Sequence, residues 1–320
     1  MSRVEDALQA VVEAFATAFA GRIRGCYVEG SHADGSEVTC SDVDMVVVFK
    51  DGFVGDEERR QAEAVGQRCV AESAVELDLV IEDEYGLRRG AWPTLKLGSV
   101  LLYGEDIRDG LPLIPLVEWT RDRMHSSLWR TAHLCGRSSV MMPLDYPDPQ
   151  GEFYGYDQRK MRLAGGEEVQ GTRDLIRLVS WSATAILGYR AGQYVARKSD
   201  CHTLYRRYIA DEWAGLLEDI YALCRGRWHY LIPKEPEERR LLRQICERTL
   251  GFENHFLRIY KTFLLAELRS EDAQGRLQAL TPLRYVFFDD REVVEAVRAL
   301  RGDAVQEVRD AVQMVRRAYL

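Results

Sequence analysis

The sequence is poor in the features that mark membrane proteins, secreted domains and zinc proteins. No apolar stretch among its 320 residues approaches the roughly 20 residues that a membrane-spanning helix needs. Its seven cysteines are scattered and never spaced as a CxxC pair, so neither a disulfide framework nor a zinc site is predicted. The N-terminal segment is amphipathic and shows no signal-peptide cleavage site, so it predicts a helix. These absences favour a reduced, cytoplasmic protein that does not contact a membrane.

Positive charge is also scarce. The chain carries 43 Lys and Arg against 51 Asp and Glu, which gives a formal net charge of −8 at pH 7. Proteins that bind nucleic acid over a large surface need clustered Lys and Arg to neutralise phosphates, so a nucleic-acid partner is not expected. With 46% hydrophobic and 29% charged residues the composition is that of a globular protein, and the length suits two domains.

Hydrophobic periodicity in the first hundred residues predicts an α+β fold, a small mixed β-sheet with helices on one side. β-branched and alternating apolar runs predict the strands, and apolar residues at helical spacing predict the helices. The predicted elements are a helix over residues 3–22, strands over 26–30 and 42–50, a helix over 56–72, and strands over 74–83 and 99–106.

The character of the sequence changes after about residue 112, where β-branched runs disappear and helical patterns predominate. We therefore predict a first domain over residues 1–111, a connector over 112–160 and an all-helical domain over 161–320. The part of the connector over 141–160 holds acidic residues among tyrosines. Acids and aromatic faces suit an amine-bearing ligand, but the same pattern also fits a solvated loop whose tyrosines cover the core.

Two aspartates stand at the head of the apolar strand over 42–50, at the end of the stretch GSHADGSEVTCSDVD. Asp42 and Asp44 are two residues apart, and a period of two places both side chains on one face of a strand. Asp78, in the predicted strand over 74–83, adds a third carboxylate if the two strands are neighbours. Several acids on one face are costly unless a cation neutralises them, and Mg²⁺ prefers such oxygen ligands.

A Gly-Ser turn opens the same stretch. Gly30 would let the backbone approach a phosphate closely, and the Ser31 hydroxyl and neighbouring N–H groups would hydrogen-bond its oxygens. A triphosphate on this turn and metal ions on the three carboxylates would form one continuous site. Two Mg²⁺ ions about 3.5–4 Å apart are known to stabilise the attacking and the leaving oxygens of a phosphoryl displacement.

The Gly-Ser turn, the SDVD strand and the acid in ELDLV together resemble the signature of the polymerase-β-like nucleotidyltransferase superfamily. The resemblance covers residues 26–81, and LLYGEDI over 101–107 is similar to the closing strand of these domains. It implies an enzyme that transfers a nucleoside monophosphate from an NTP to a hydroxyl group, with pyrophosphate leaving and two Mg²⁺ ions bound.

The resemblance also implies a role for individual residues. Gly30 and Ser31 would hold the β- and γ-phosphates, Asp42 and Asp44 would bind Mg²⁺, Ser41 and Lys198 would contact the nucleotide, and Asp78 would bind the second metal ion or act as general base. Lys198 lies where a helix is predicted to begin, and a cation gains nothing there from the helix dipole. Its position is similar to that of a lysine in the helical domain of several relatives.

The helical second domain and the net charge indicate the class of acceptor. A single helical domain after the core is similar to the aminoglycoside and lincosamide nucleotidyltransferases, and an acidic protein suits a cationic acceptor. The resemblance therefore points to an antibiotic-resistance type of enzyme that transfers AMP, with ATP as the default NTP, to a small-molecule hydroxyl. One alternative is a signalling-nucleotide or RNA-end nucleotidyltransferase, which would need a basic channel. The other is a catalytically silent nucleotide-binding regulator, against which the three carboxylates weigh.

Overall fold

The computed structural model describes residues 3–38, 40–137, 140–163, 167–315 and 319, and it shows an α+β chain. The helices are α1 Arg3–Ala18, α2 Ser31–Asp34, α3 Gly55–Glu72, α4 Glu84–Leu87, α5 Pro93–Gly98, α6 Leu116–His133, α7 Arg173–Ala191, α8 Cys201–Tyr208, α9 Ala214–Asp219, α10 Pro236–Leu268, α11 Ala273–Leu280, α12 Arg291–Ala299 and α13 Gln306–Gln313. The strands are β1 Ile23–Glu29, β2 Val43–Phe49, β3 Leu77–Asp83, β4 Val100–Gly104, β5 Val140–Met142, β6 Arg159–Arg162, β7 Glu168–Gly171 and β8 Val286–Phe288. None of the described helices combines the length and the hydropathy that crossing a membrane requires. All seven cysteines lie in the described residues, and none of them is joined in a disulfide bond.

The chain divides into two compact units that are not continuous in sequence. The first consists of Met1–Trp119, Leu163–Gly165 and Gly192–Cys201, and the second contains the rest of the chain. The predicted boundaries at residues 111 and 160 stay a prediction. The contacts between residues group the chain differently, since they assign the ten-residue segment Gly192–Cys201, which follows α7, to the first unit. Hydrophobic periodicity gives no sign that such a segment packs with the first unit.

The first unit is built on a four-stranded mixed sheet with the strand order β3-β2-β1-β4. Strand β1 is antiparallel to β2 and to β4, whereas β2 and β3 run parallel. This confirms the predicted small mixed sheet. The first strand begins at Ile23 rather than at residue 26, and Gly25 lies inside it.

The two faces of the sheet are covered differently. The predicted long helices, α1 and α3, pack on one face, where Leu77, Leu79 and Ile81 alternate inward as their spacing predicts. The core on this side is formed by Val11, Val12, Phe15, Phe19, Ile23, Cys26, Val28, Val43, Met45, Val47, Phe49, Ala62, Val65 and Leu77. On the other face, Leu87 of α4 and Leu95 of α5 pack near Val46. Helices of four and six residues are too short to show a helical period, so the sequence did not predict them.

The second unit is mainly helical, and its 33-residue helix α10 packs against α7, α9, α11 and α12. It also contains two small sheets, an antiparallel pair of β6 and β7 and a parallel pair of β5 and β8. The prediction of an all-helical domain is corrected in this respect. Strands of three or four residues are too short for the alternation by which a strand is recognised in sequence.

The tyrosine-rich part of the predicted connector packs into the core of this unit. Phe153 and Tyr156 are each 1% exposed. The Tyr156 hydroxyl donates to Glu253 of α10 at 2.5 Å, and Glu152 forms an ion pair with Arg239. These contacts favour the interpretation in which the tyrosines cover the core over the one in which they bind an amine.

A buried histidine in this unit predicts a pH dependence of stability. His125 Nδ1 lies 2.8 Å from the hydroxyl of Tyr260, and burial lowers the pKa of His125 from 6.5 to about 4. Between these values the unfolded chain binds a proton that the folded chain does not, so the free energy of unfolding falls by up to about 3 kcal/mol as the pH drops through this window. Urea titrations from pH 4 to pH 7 give the free energy of unfolding at each pH. This free energy should change less with pH in His125→Gln than in the wild type, and an equal dependence on pH in both proteins would contradict the assignment.

Candidate functional site

Three strands place carboxylates side by side at one edge of the sheet in the first unit. Glu29 of β1 pairs with Asp44 of β2 in the antiparallel register, and Asp44 pairs with Asp78 of β3 in the parallel register. Directly paired residues of neighbouring strands share a face, so the three side chains form a row. The strand that carries Asp78 is therefore the neighbour of the strand that carries Asp44, as the sequence predicts. Asp78 is exposed, whereas Asp44 is half-buried, with 21% of its side chain accessible.

Asp42 completes the predicted set of metal ligands. It lies one residue before β2 and is half-buried. Within the part of the chain that the structure describes, no three His, Cys, Asp or Glu side chains are arranged as a ligand group for a metal ion. The carboxylates are thus neighbours on the sheet rather than a closed ligand set, and their role in metal binding stays a prediction.

The Gly-Ser turn is packed directly against one of these carboxylates. Gly30 has a φ of +66°, and a Cβ placed on it would lie 2.3 Å from Asp44 Oδ2. Two features therefore exclude a side chain at this position: the backbone conformation, and the Asp44 carboxylate that occupies the space a Cβ would need. Ser31 follows as the first residue of the single-turn helix α2, and its carbonyl accepts the N–H of Ser36 at 3.0 Å. The neighbouring N–H groups predicted to meet a phosphate therefore belong to a helical turn.

Ser41, also predicted to contact the nucleotide, closes the loop before β2. Its hydroxyl accepts the N–H of Val38 at 2.9 Å, and its own N–H donates to the Val38 carbonyl at 2.8 Å. These two bonds give Ser41 a structural role in positioning the start of β2. A contact between Ser41 and a nucleotide stays a prediction.

Lys198 is brought to the row by the ten-residue segment that returns to the first unit. Its Nζ lies 3.9 Å from Asp44 Oδ2, and about half of its side chain is exposed. The next residue, Ser199, donates its hydroxyl proton to Asp34 Oδ2 of α2 at 2.6 Å. The structure therefore places the predicted cation beside the predicted metal ligands, although the two lie far apart in sequence.

Glu29 is a member of the row that the sequence did not single out. Its Oε1 accepts the indole N–H of Trp92 at 2.8 Å, and the Thr94 hydroxyl lies 3.2 Å from both carboxylate oxygens. Burial raises the pKa of Glu29 to about 7, and the charge of Asp44 acts in the same direction, whereas both hydrogen bonds and the charge of Lys198 oppose the shift. In the sequence, Glu29 stands out only by its place directly before Gly30. Its pairing with Asp44 depends on the antiparallel register of β1 and β2, which the sequence does not reveal.

Comparisons with known proteins give structural neighbours but no sequence relatives. No family model matches the chain, and no curated protein matches it. Among solved structures, the chain is similar to spectinomycin adenyltransferase AAD(9) from Enterococcus faecialis with ATP and spectinomycin, at 14% identity and a TM-score of 0.42 over 77% of this chain and 99% of that chain. It is also similar to a toxin-antitoxin with AMP-PNP, at 19% identity and a TM-score of 0.23 over 39% of this chain and 94% of that chain. TM-scores this low give no basis for assigning a function, so the function is inferred from the residues of the site.

The chain nevertheless resembles a nucleotidyltransferase in the arrangement of its core. A mixed sheet bears a Gly-Ser turn at the end of β1, aspartates at the start of β2 and a further aspartate on the parallel neighbour β3. Carboxylate oxygens are the donors that Mg²⁺ prefers, so the donor chemistry of the row fits that ion. The close approach of the Gly30 backbone to Asp44 places the turn and the acids in one site, which lies entirely within the first unit.

Proposed function

We propose that the protein is a Mg²⁺-dependent nucleotidyltransferase that transfers a nucleoside monophosphate from an NTP to a hydroxyl of a small-molecule acceptor. The observation that carries the proposal is the environment of Asp44. Its carboxylate lies against the Gly30 backbone, with the Lys198 ammonium 3.9 Å away, and its backbone is paired in register with that of Asp78 on the neighbouring strand. Acids, a tight glycine turn and a cation are the groups that a metal-bound triphosphate requires.

The metal ions would be held by the acidic residues. Asp42, Asp44 and Asp78 supply only oxygen donors, and the row that Asp44 and Asp78 form with the half-buried Glu29 favours a cation on electrostatic grounds. When bound, Mg²⁺ neutralises phosphate charge and stabilises the attacking and leaving oxygens. The protein itself contributes by fixing Asp44 and Asp78 on two neighbouring, hydrogen-bonded strands and Asp42 immediately before the first of them.

The turn and the lysine would bind the triphosphate. Gly30 exposes its backbone at the start of α2, and the Ser31 hydroxyl would donate to a β- or γ-phosphate oxygen. Lys198 would exchange its contact with Asp44 for one with the triphosphate. The exposed Asp78 would accept the proton of the acceptor hydroxyl, or else complete the metal site.

The acceptor is proposed to be cationic, such as an aminoglycoside-type antibiotic, because the protein carries a net charge of −8. The test is incubation with each labelled NTP, Mg²⁺ and a panel of aminoglycosides, spectinomycin, lincosamides and short RNAs. We expect pyrophosphate and an antibiotic heavier by one nucleotidyl group, which is a nucleoside monophosphate less one water. Labelled RNA as the sole product would refute the acceptor class. Nucleotide binding without release of pyrophosphate from the NTP, whichever acceptor is added, would refute the proposed reaction.

The role of the turn predicts a selective binding defect. Ser31→Ala should weaken ATP binding by roughly tenfold, because one hydrogen bond to a charged phosphate is lost. AMP, which has no β- or γ-phosphate, should bind both proteins equally. Calorimetric titration with the two nucleotides measures the difference, and equal losses for ATP and AMP would contradict the placement of the triphosphate on this turn.

The role of Asp78 predicts a defect in rate rather than in nucleotide affinity. Asp78→Asn keeps the shape of the side chain but can no longer accept the acceptor's proton, so kcat should fall by about a hundredfold or more. Steady-state kinetics with ATP as the varied substrate separates kcat from KM. A raised KM for ATP with an unchanged kcat would rule out the general-base assignment.

A further inference from the structure

We propose that Asp34 and Ser199 are positioning residues of the nucleotide site, because the hydrogen bond between them fixes the backbone that carries Lys198. The inference rests on the proposed function, and it adds two residues that the resemblance to nucleotidyltransferases does not supply. Both residues belong to the first unit, as do Lys198 and Asp44.

The Asp34 carboxylate is oriented from one side by its own turn. Its Oδ1 accepts both the backbone N–H of Ser36 at 3.0 Å and the Ser36 hydroxyl at 2.5 Å. Its Oδ2 accepts the hydroxyl of Ser199 at 2.6 Å. A short bond to an ionised carboxylate is stronger than a bond between neutral groups, so this contact is a firm attachment between the phosphate turn and the segment over residues 192–201.

The same segment is attached to the first unit at two earlier points. The Tyr194 hydroxyl donates to the Ile114 carbonyl at 2.5 Å. The Ala196 carbonyl lies so close to Gly98 of α5 that a Cβ on Gly98 would approach it to 2.5 Å. The bond of Ser199 is thus the third attachment, and it lies on the far side of Lys198 from the other two. With the backbone held on both sides, only the lysine side chain remains to be ordered.

This arrangement matters because lysine is a flexible cation. Holding a lysine side chain in one place costs about 1.5–2 kcal/mol of conformational entropy, and an unfixed backbone would add to that cost. A fixed backbone lets Lys198 move between Asp44 and a phosphate by rotating its side chain alone. The Asp34–Ser199 bond therefore pre-organises the site for the triphosphate and leaves groups that contact only the nucleoside unaffected.

The first arm of the test compares nucleotide binding by calorimetry. Ser199→Ala should weaken ATP binding by roughly tenfold, leave AMP binding unchanged, and add nothing to the defect of Lys198→Ala in the double variant. Ser199→Thr keeps the hydroxyl and should restore ATP binding. Ser126→Ala makes the same chemical change at a longer and local serine–aspartate bond, 3.4 Å from Asp122 in the second unit, and is the control. Full additivity with Lys198→Ala, or equal loss of ATP and AMP, would overturn the proposal.

The second arm needs no nucleotide. Trypsin cleaves after Arg197 and Lys198, and cleavage requires this segment to leave its attachments. Ser199→Ala and Asp34→Ala should raise the cleavage rate at these two bonds by about tenfold, whereas Ser126→Ala should not. Unchanged cleavage in both variants would overturn the proposal. If wild-type protein binds no NTP, the proposed function fails, and the cleavage rates still decide whether the bond holds the segment.

Discussion

Asp44→Asn is expected to lower nucleotidyl transfer by about a thousandfold while the protein remains folded. Asp44 lies between two other acidic positions in the register, against the Gly30 backbone and beside Lys198. An amide in its place removes the negative charge that is proposed to bind the metal ion and that pairs with Lys198. It also relieves repulsion within the row, so the free energy of unfolding should stay the same or rise.

The measurement is turnover with the acceptor that the panel identifies, together with a urea titration of each protein. Asp109→Asn is the control, because Asp109 is an exposed carboxylate of the same unit that lies in no strand of the sheet. It should leave both quantities unchanged. Wild-type turnover in Asp44→Asn, or loss of turnover caused only by unfolding, would contradict the assigned role.

Gly30→Ala is expected to have the second-largest effect, on stability and on nucleotide binding together. The new Cβ would meet Asp44 Oδ2 at 2.3 Å, in a backbone conformation with a φ of +66° that side chains avoid. Relieving the contact requires the turn or the carboxylate to move. We expect a loss of about 2–4 kcal/mol in the free energy of unfolding and no measurable binding of ATP.

Gly35→Ala is a control from the same loop. Gly35 has a φ of +69° and a ψ of 21°, in the left-handed helical region, and a Cβ there would meet no atom within 4 Å. It should therefore show only the conformational cost, about 1–2 kcal/mol. Gly30 has a ψ of −146°, near a region that essentially only glycine occupies, so its conformational cost is higher. In an Asp44→Ala background the cost of Gly30→Ala should fall, since the obstructing carboxylate is gone, but it should stay above that of Gly35→Ala. An unchanged cost of Gly30→Ala in that background would show that the contact between turn and carboxylate does not contribute to excluding a side chain.

Local patterns predicted the parts of the site that lie within single strands. The alternation in ELDLVIED places Asp78 on the face opposite Leu77 and Leu79, and the structure confirms that alternation. The Gly-Ser turn and the aspartates at the start of β2 are likewise close in sequence. These features follow from the period of a strand and from the conformational freedom of glycine.

The rest of the site depends on contacts between segments that are distant in sequence. Glu29 joins the row only because β1 and β2 pair in one particular antiparallel register. Lys198 and Ser199 reach the site because their segment packs on the first unit after the whole of α7 has intervened. Neither the register nor the return leaves a periodic signal. A sequence pattern therefore indicates which residues can do the chemistry but not all of the residues that hold them in place.

The most direct test of the account is a titration with Mn²⁺ in the presence of a non-hydrolysable ATP analogue. The electron paramagnetic resonance signal of the free ion measures how much Mn²⁺ remains unbound. If Asp42 and Asp44 bind divalent cations together with the triphosphate, the wild type should bind about two ions per chain. Asp44→Asn should bind at least one ion fewer. Asp78→Asn should also bind fewer ions if Asp78 is a metal ligand, and should bind the full number if it is only the general base. Binding of the same number of ions, with the same affinity, by the wild type and by Asp44→Asn would contradict the central claim.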